Sequence, residues 1–252
     1  MGNEQTNLRE REFCIECFVL DSRYSRNRGG SILLQGPAKV GKSVFCRNFV
    51  RRAFEKRRII YVSTDESPGE LLAQFESILG SSPEPDRLRL VDAYCSRTGV
   101  KSSLSGVLHI ESTSNLNELS VTLQEALKDL ARPLIIFDNL DALVLDAGED
   151  STIKFVRSTL PKLLGQKAFS LFTISEGLHS EKFINTLRSI FDGIIEMRLD
   201  EENDEIHRSI RLFAMKGEQT VSGWLPYTIN KKGIDVKRPR KKTHIHGSAV
   251  AS

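Results

Sequence analysis

Short apolar runs alternate with stretches of helical periodicity along most of the chain. Runs of about four to eight apolar, often β-branched residues predict buried strands, and apolar positions repeated every three to four residues predict helices. The predicted strands cover residues 31–35, 58–63, 87–94, 133–138 and 169–174, with a weaker one at 106–110. The predicted helices cover residues 40–56, 69–79, 115–130 and 152–164. This alternation predicts an α/β fold in which helices flank a mostly parallel sheet.

The pattern changes after residue 189. Three β-rich runs, at 190–199, 206–215 and 224–229, are joined by short polar segments. Such runs predict antiparallel strands that are added to one side of the sheet near the C-terminus.

Length and composition are those of a chain with one hydrophobic core. The chain has 252 residues, of which 39% are hydrophobic and 27% charged, and these values exclude wholesale disorder. We expect one folded domain at 29–236, an N-terminal extension at 1–28 and a disordered basic tail at 237–252. The net charge of only +3 argues against a uniformly basic surface for nucleic acid.

The N-terminal sequence and the absence of long apolar runs predict a cytoplasmic protein without a membrane partner. The first twenty residues lack the charged and apolar regions of a signal peptide, and no run approaches the ~18 apolar residues of a membrane span.

Cys14 and Cys17 have the C-x-x-C spacing of half a zinc site or a redox pair. No second such pair exists, so two small buried hydrophobes are the favoured interpretation.

The segment G-P-A-K-V-G-K-S, residues 36–43, fits the phosphate-loop pattern at every required position. It follows an apolar strand and opens a helix, which is the context that the pattern requires. Backbone N–H groups and the helix N-terminus bind phosphate oxygens, Lys42 reaches the β and γ phosphates, and Ser43 ligates Mg²⁺. ATP and Mg²⁺ are therefore the expected cofactors. The predicted nucleotide-binding residues are Gly36, Pro37, Ala38, Lys39, Val40, Gly41, Lys42, Ser43 and Val44.

A carboxylate, Asp138, ends the apolar run L-I-I-F-D. The second acidic partner of a phosphate-loop site is presented in this way and holds Mg²⁺ directly or through water. Any buried strand can end in Asp as a turn or cap residue. The phosphate loop makes the metal role the favoured one.

Two further carboxylates, Asp65 and Glu66, end the strand that follows the phosphate-loop helix. Such a strand commonly lies beside the phosphate-loop strand, so we expect both at the carboxyl edge of the sheet, where ligands bind. There Glu66 is the candidate base that takes a proton from the water attacking the γ phosphate, with Asp65 as helper or substitute. The alternative is that both only favour the N-terminus of the next helix.

Three other polar residues are weaker candidates. Thr173 and Ser175 end a central strand, where they could sense the γ phosphate, although a plain turn explains them equally well. Lys216 lies near the end of a β-rich run and could reach a nucleotide held by a neighbouring subunit. Most surface lysines have no such role.

Taken together, the motifs resemble the KaiC-like branch of the RecA-type ATPases over residues 29–236, as a single domain. The resemblance is carried by G-P-A-K-V-G-K-S, Y-V-S-T-D-E-S-P-G-E-L-L, L-I-I-F-D-N-L, F-T-I-S-E, F-D-G-I-I-E-M-R-L, R-L-F-A-M-K-G and W-L-P-Y-T-I-N-K-K-G-I. It implies a RecA-type core, a hydrolytic role for Asp65 and Glu66, and homo-oligomers up to hexameric rings with ATP between subunits. It also implies a role in signalling or clock-like regulation, for which we expect a protein partner that the sequence does not identify.

The chain departs from this family's pattern in two places. Only R-N-R-G-G precedes the phosphate loop, where the family has a longer glycine-rich stretch. The family's Lys-x-Arg-Gly is replaced by Ala214-Met215-Lys216-Gly217. Loss of the first cation weakens the case for a residue that acts on the neighbour's ATP, and with it the case for fast hydrolysis.

The leading hypothesis is a Mg²⁺-dependent regulatory ATPase that hydrolyses ATP slowly and changes its assembly or partner contacts with nucleotide state. One alternative is a recombinase paralogue that binds DNA through the basic tail. Another is a nucleotide-dependent scaffold or motor accessory subunit without turnover.

Overall fold

The computed structural model describes residues 28–100, 102–217, 223–231 and 233–237, together with Ile15 and Leu20. The strands are β1 (Gly30–Gly36), β2 (Ile59–Ser63), β3 (Leu88–Asp92), β4 (Val107–His109), β5 (Leu134–Asp138), β6 (Phe169–Ser175), β7 (Gly193–Glu202), β8 (Glu205–Met215), β9 (Leu225–Asn230) and β10 (Gly233–Val236). The helices are α1 (Lys42–Ala53), α2 (Pro68–Leu79), α3 (Cys95–Thr98), α4 (Leu116–Ala126), α5 (Asp141–Ala147), α6 (Glu149–Gly165) and α7 (Glu181–Ile190).

These strands form a ten-stranded sheet in the order β10-β9-β8-β7-β1-β6-β5-β2-β3-β4. All neighbours from β7 to β4 are parallel. The pairs β7–β8, β8–β9 and β9–β10 are antiparallel. The predicted α/β fold, with antiparallel strands added near the C-terminus, is confirmed.

The expectation that β2 lies beside β1 was wrong. Strand β1 pairs with β6 and β7, and both β6 and β5 lie between it and β2. Crossover rules determine the handedness of a strand–helix–strand connection but not how many strands it passes over. The prediction that the carboxylates after β2 lie at the carboxyl edge does not depend on this neighbour relation.

Both faces of the sheet are covered by apolar helical stripes. Phe45 and Phe49 of α1 and Phe75 of α2 belong to the core on one face. Leu123 of α4 and Phe155 of α6 belong to the core on the other. All seven residues of β1 are buried, as expected for a central strand of a parallel sheet.

The terminal predictions fall mostly outside the described residues. This applies to the extension at 1–28, including Cys14 and Cys17, and to the tail at 237–252, of which only Lys237 is described. Within the described part of the chain, no helix has the length and apolar character needed to cross a bilayer.

Candidate nucleotide-binding site

A cavity of about 1020 Å³ opens at the carboxyl edge of the parallel strands, above β1, β2 and β5. Its walls bring together the phosphate loop and the three predicted carboxylates, Asp65, Glu66 and Asp138. The loop residues in its lining are Ala38, Lys39, Gly41, Lys42, Ser43 and Val44. The volume is that of a site for a cofactor-sized ligand.

The loop and the start of α1 offer unpaired backbone donors to an anion. The first N–H groups of a helix have no intrahelical partner, and α1 has no acidic residue in its first turn and no side-chain cap at Gly41 that would compete for them. Gly41 has φ 111°, and a Cβ there would lie 2.6 Å from Cδ1 of Ile229. The backbone conformation therefore favours glycine, and a side chain at this position would also require Ile229 to move.

The side chain of Lys42 is buried beneath the loop. Its Nζ donates to the carbonyl oxygens of Gly36 at 2.9 Å and Pro37 at 3.0 Å. Burial lowers the pKa of Lys42, while the charges of Asp141 and Asp138 oppose the shift. These two carboxylates favour the ammonium form that phosphate binding needs.

Asp138 is held by two hydroxyl donors. The Tyr61 hydroxyl donates to Oδ2 at 2.7 Å and the Thr173 hydroxyl to Oδ1 at 2.8 Å. Thr173 is fully buried and does not belong to the cavity lining. Of the two interpretations offered for Thr173, a γ-phosphate sensor and a plain turn, neither describes its contact: its hydroxyl orients Asp138.

Glu66 and Asp65 are each engaged by cationic and amide side chains. Nη1 of Arg47 lies 3.1 and 3.2 Å from the two oxygens of Glu66, and Gln74 donates to Oε2 at 3.1 Å. Arg97 donates to Asp65 at 2.8 Å, and Asn139 donates to its other oxygen at 2.5 Å. Strand β2 thus delivers both carboxylates to the cavity as members of ion pairs.

Asp65 and Glu66 lie close before helix α2 but make none of the hydrogen bonds that cap it, so any effect they have on its N-terminus acts through the helix dipole. Helix α2 is capped by Ser67, whose side chain accepts from the Glu70 N–H, while the Glu70 carboxylate accepts from the Ser67 N–H. This capping box satisfies the helix N-terminus without Asp65 or Glu66.

Sequence reasoning missed Asp141 and His179 at the far wall. Ser175, a predicted candidate, does line the cavity and donates to Asp141 through its hydroxyl at 2.5 Å and its N–H at 3.0 Å. Nε2 of His179 lies 2.7 Å from Oδ1 of Asp141, the oxygen that also accepts the Ser175 N–H. The sequence signal that could have identified Asp141 is its position as a second carboxylate shortly after the end of β5.

Strand β9 supports the phosphate loop from the C-terminal part of the chain. The buried Tyr227 hydroxyl donates to the Val40 carbonyl at 2.6 Å, and Ile229 lies against Gly41. Asn48 of α1 donates to the carbonyl of Ile234 in β10 at 3.2 Å. These contacts join the β9–β10 hairpin to the loop and its helix.

Lys216 lies at the opposite edge of the sheet. Met215 pairs with Gly193, and Gly193 pairs with Ile32 near the start of β1. The phosphate loop follows Gly36, about 13 Å further along β1 at ~3.3 Å per residue. Any contact of Lys216 with a nucleotide therefore involves the cavity of a neighbouring chain.

The sheet order and the acidic residues around the phosphate loop define a RecA-type P-loop ATPase domain. A family model described as the KaiC ATPase matches residues 22–241, and the chain belongs to this family.

Individual relatives are distant. A UPF0273 protein of Pyrococcus furiosus is 24% identical over 211 residues, which cover 81% of this chain and 84% of the relative. A UPF0273 protein of Thermotoga maritima is 23% identical over 210 residues, with 81% and 85% covered. The solved structure of a KaiC-like protein of Pyrococcus horikoshii superposes with a TM-score of 0.64 at 19% identity and covers 84% of this chain and 90% of that one. At that identity the likeness shows the fold.

Proposed function

We propose that the protein binds ATP with Mg²⁺ and hydrolyses it slowly, and that the nucleotide state changes its assembly or its contacts with a protein partner. The observation that carries this proposal is the meeting of the phosphate loop, Asp138 and the Asp65–Glu66 pair in one cavity. Membership of the KaiC ATPase family supports it.

The donor set suits Mg²⁺. Ser43 supplies a hydroxyl oxygen and Asp138 a carboxylate, and Mg²⁺ prefers oxygen ligands, keeping several waters of its own. Bound Mg²⁺ neutralises charge on the β and γ phosphates. Lys42 has its ammonium beneath the loop, close to the first N–H groups of α1, so it would bind the same phosphates.

Glu66 is the proposed general base, and its contacts favour slow turnover. Arg47 donates to both carboxylate oxygens and Gln74 to one of them, so three of the about four acceptor positions of Glu66 are already occupied and the approach of water is restricted. Ala214 replaces the first cation of the family's Lys-x-Arg-Gly, which removes one source of transition-state stabilisation by a neighbouring subunit.

Phosphate release from the parent and three variants tests this assignment. General-base catalysis contributes about 10²–10⁴-fold, so Glu66→Gln should slow hydrolysis by at least about 10²-fold while ATP still binds. Lys42→Ala should lose ATP binding. The control is Glu76→Gln, which removes an exposed carboxylate of α2 and should match the parent.

The same samples test coupling to assembly. Light scattering with and without Mg-ATP should show a change in molecular mass for the parent and none for Lys42→Ala.

If Glu66→Gln hydrolyses ATP as fast as the parent, the base assignment is wrong. Phosphate release at background level in the parent, with tight ATP binding, would indicate a scaffold without turnover.

The DNA-binding alternative is not carried forward. It rests on the basic run after Val236, of which only Lys237 belongs to the described residues.

A further inference from the structure

A second group of chemically reactive side chains lies outside the nucleotide cavity, at the carboxyl ends of β3 and β4. Asp92 ends β3, His109 ends β4, and Cys95 begins α3. Asp92 and His109 are direct partners in the parallel pairing of these strands. The three residue types are common zinc ligands.

The ligand atoms of the three side chains converge. One carboxylate oxygen, one ring nitrogen and the sulfur all lie within 4.8 Å of one another. Nδ1 of His109 lies 3.1 Å from Oδ2 of Asp92. Around a tetrahedral zinc ion with bonds of about 2.0–2.3 Å, neighbouring ligand atoms are roughly 3.3–3.8 Å apart. Coordination therefore requires side-chain shifts of about 1 Å or less.

The backbone preorganises this geometry. The Cys95 N–H donates to Oδ1 of Asp92 at 2.9 Å. The Ala93 N–H donates to the Ser63 carbonyl at 2.9 Å, and the Ile110 N–H donates to the Asp92 carbonyl at 3.2 Å. Two strand ends and the first residue of α3 are thereby held together before any ion binds.

Burial makes a cation favourable at this position. Asp92 is 1% exposed and Cys95 is 4% exposed, and a buried carboxylate needs a compensating positive charge. Among the described residues, the Asp92 carboxylate contacts the Cys95 N–H and the His109 ring. A metal ion at this position would supply that charge and would also engage the sulfur.

The mixture of donors selects the kind of ion. Thiolate and imidazole favour zinc-class ions, whereas Mg²⁺ prefers oxygen donors. Three protein ligands leave one position for water, and the His109 side chain is 17% exposed, so solvent reaches one side of the group. We propose that Asp92, Cys95 and His109 bind one zinc-class divalent ion.

Binding has a defined proton balance. The Cys95 sulfur, which lies 3.3 Å from the Ile110 carbonyl oxygen, loses its thiol proton to solvent when it binds the ion as thiolate. His109 binds as the neutral ring. Affinity for the ion therefore falls as pH is lowered.

The site would stabilise a turn that reaches the nucleotide cavity. Arg97 follows Cys95 by two residues within α3 and donates to Asp65 at 2.8 Å. An ion on Cys95 would hold this short helix to β3 and β4, and through it the cation that pairs with Asp65.

A cobalt titration tests the proposal. The full chain carries Cys14→Ser and Cys17→Ser, because this C-x-x-C pair lies outside the described residues and could bind metal itself. Co²⁺ reports a thiolate ligand by an intense sulfur-to-metal charge-transfer absorption, and zinc bound after equilibrium dialysis is counted by elemental analysis. We expect one ion per chain and displacement of Co²⁺ by Zn²⁺.

Variants locate the ion. Cys95→Ser should abolish the charge-transfer band, and Cys95→Ser and His109→Gln should each weaken zinc binding by more than about 100-fold, the upper range for losing only an outer partner. The control is Cys46→Ser, which removes a buried thiol of α1 and should leave binding unchanged.

Two results overturn the proposal. The first is no metal uptake by the background protein with its three ligands intact, a result that does not depend on any variant folding. The second is uptake that survives both Cys95→Ser and His109→Gln. Circular dichroism of each variant checks that it is folded.

Discussion

Removing the hydroxyl of Tyr227 tests whether β9 supports the phosphate loop. The hydroxyl donates to the Val40 carbonyl at 2.6 Å, and Tyr227 is 3% exposed while Val40 is fully buried. Tyr227→Phe leaves this carbonyl without its donor, which costs about 1–3 kcal/mol in the free energy of unfolding. For a domain of this size the expected fall in Tm is roughly 2–12 °C.

Nucleotide affinity provides the second measurement. Val40 lies within the loop, so a loop that is less well held has to be ordered when ATP binds. Each 1.4 kcal/mol that this ordering of the loop adds to the free energy of ATP binding weakens the affinity about tenfold. Thermal unfolding by circular dichroism and an ATP titration measure the two effects on the same protein.

Tyr94→Phe is the matched control. No hydrogen bond of the Tyr94 hydroxyl is recorded among the described residues, so its loss should change stability by less than about 0.5 kcal/mol. Tyr227→Phe unfolding at the parent's temperature would refute the stabilising role of the hydroxyl. A lower Tm with unchanged ATP affinity would refute its action on the loop.

Three further predictions concern the cavity and its neighbours. Asp138→Asn should weaken Mg-ATP binding by about 10–100-fold, whereas its affinity for ATP without Mg²⁺ should equal that of the parent; a Mg²⁺ dependence equal to the parent's would contradict the metal role. Burial, and next the charge of Asp138, raise the pKa of Tyr61. When the pKa of a group is higher in the folded than in the unfolded state, its contribution to the free energy of unfolding is complete below the unfolded pKa, here about 10, and is lost as pH rises above it. The free energy of unfolding measured in urea should therefore fall above about pH 10. The fall should be shallower in Tyr61→Phe. If Lys216 acts on a neighbour's nucleotide, Lys216→Ala should slow hydrolysis by about 10²-fold, and mixing it with Lys42→Ala chains should restore part of the rate; an unchanged rate, or no recovery on mixing, would exclude that role.

Local sequence signals were enough for the central strands and the phosphate loop. The run S-I-L-L-Q has consecutive apolar residues from Ile32 to Leu34, and β1 is buried at every position. The G-x-x-x-x-G-K-S spacing is itself the loop. Helix α7 also had a local signal that was overlooked, because Ser180 caps it and Phe183 and Leu187 form its buried stripe.

Non-local contacts could not be predicted in the same way. The positions of β5 and β6 between β1 and β2 depend on how the crossover helices pack, and no short segment encodes that. Arg47 meets Glu66 across two elements, and Asp92 meets His109 through strand pairing. The sequence around each of these residues does not distinguish it from an ordinary surface or turn residue, and its contact becomes visible only with the order of the strands.

The hairpin of β9 and β10 gives the order of synthesis a consequence for this chain. The Val40 carbonyl leaves the ribosome 187 residues before the Tyr227 hydroxyl that binds it. At about 5–20 residues per second, roughly 10–40 s separate the two. A nascent chain therefore displays a complete phosphate-loop sequence long before it has the strand that holds the loop, and nucleotide binding would report that translation has passed β9.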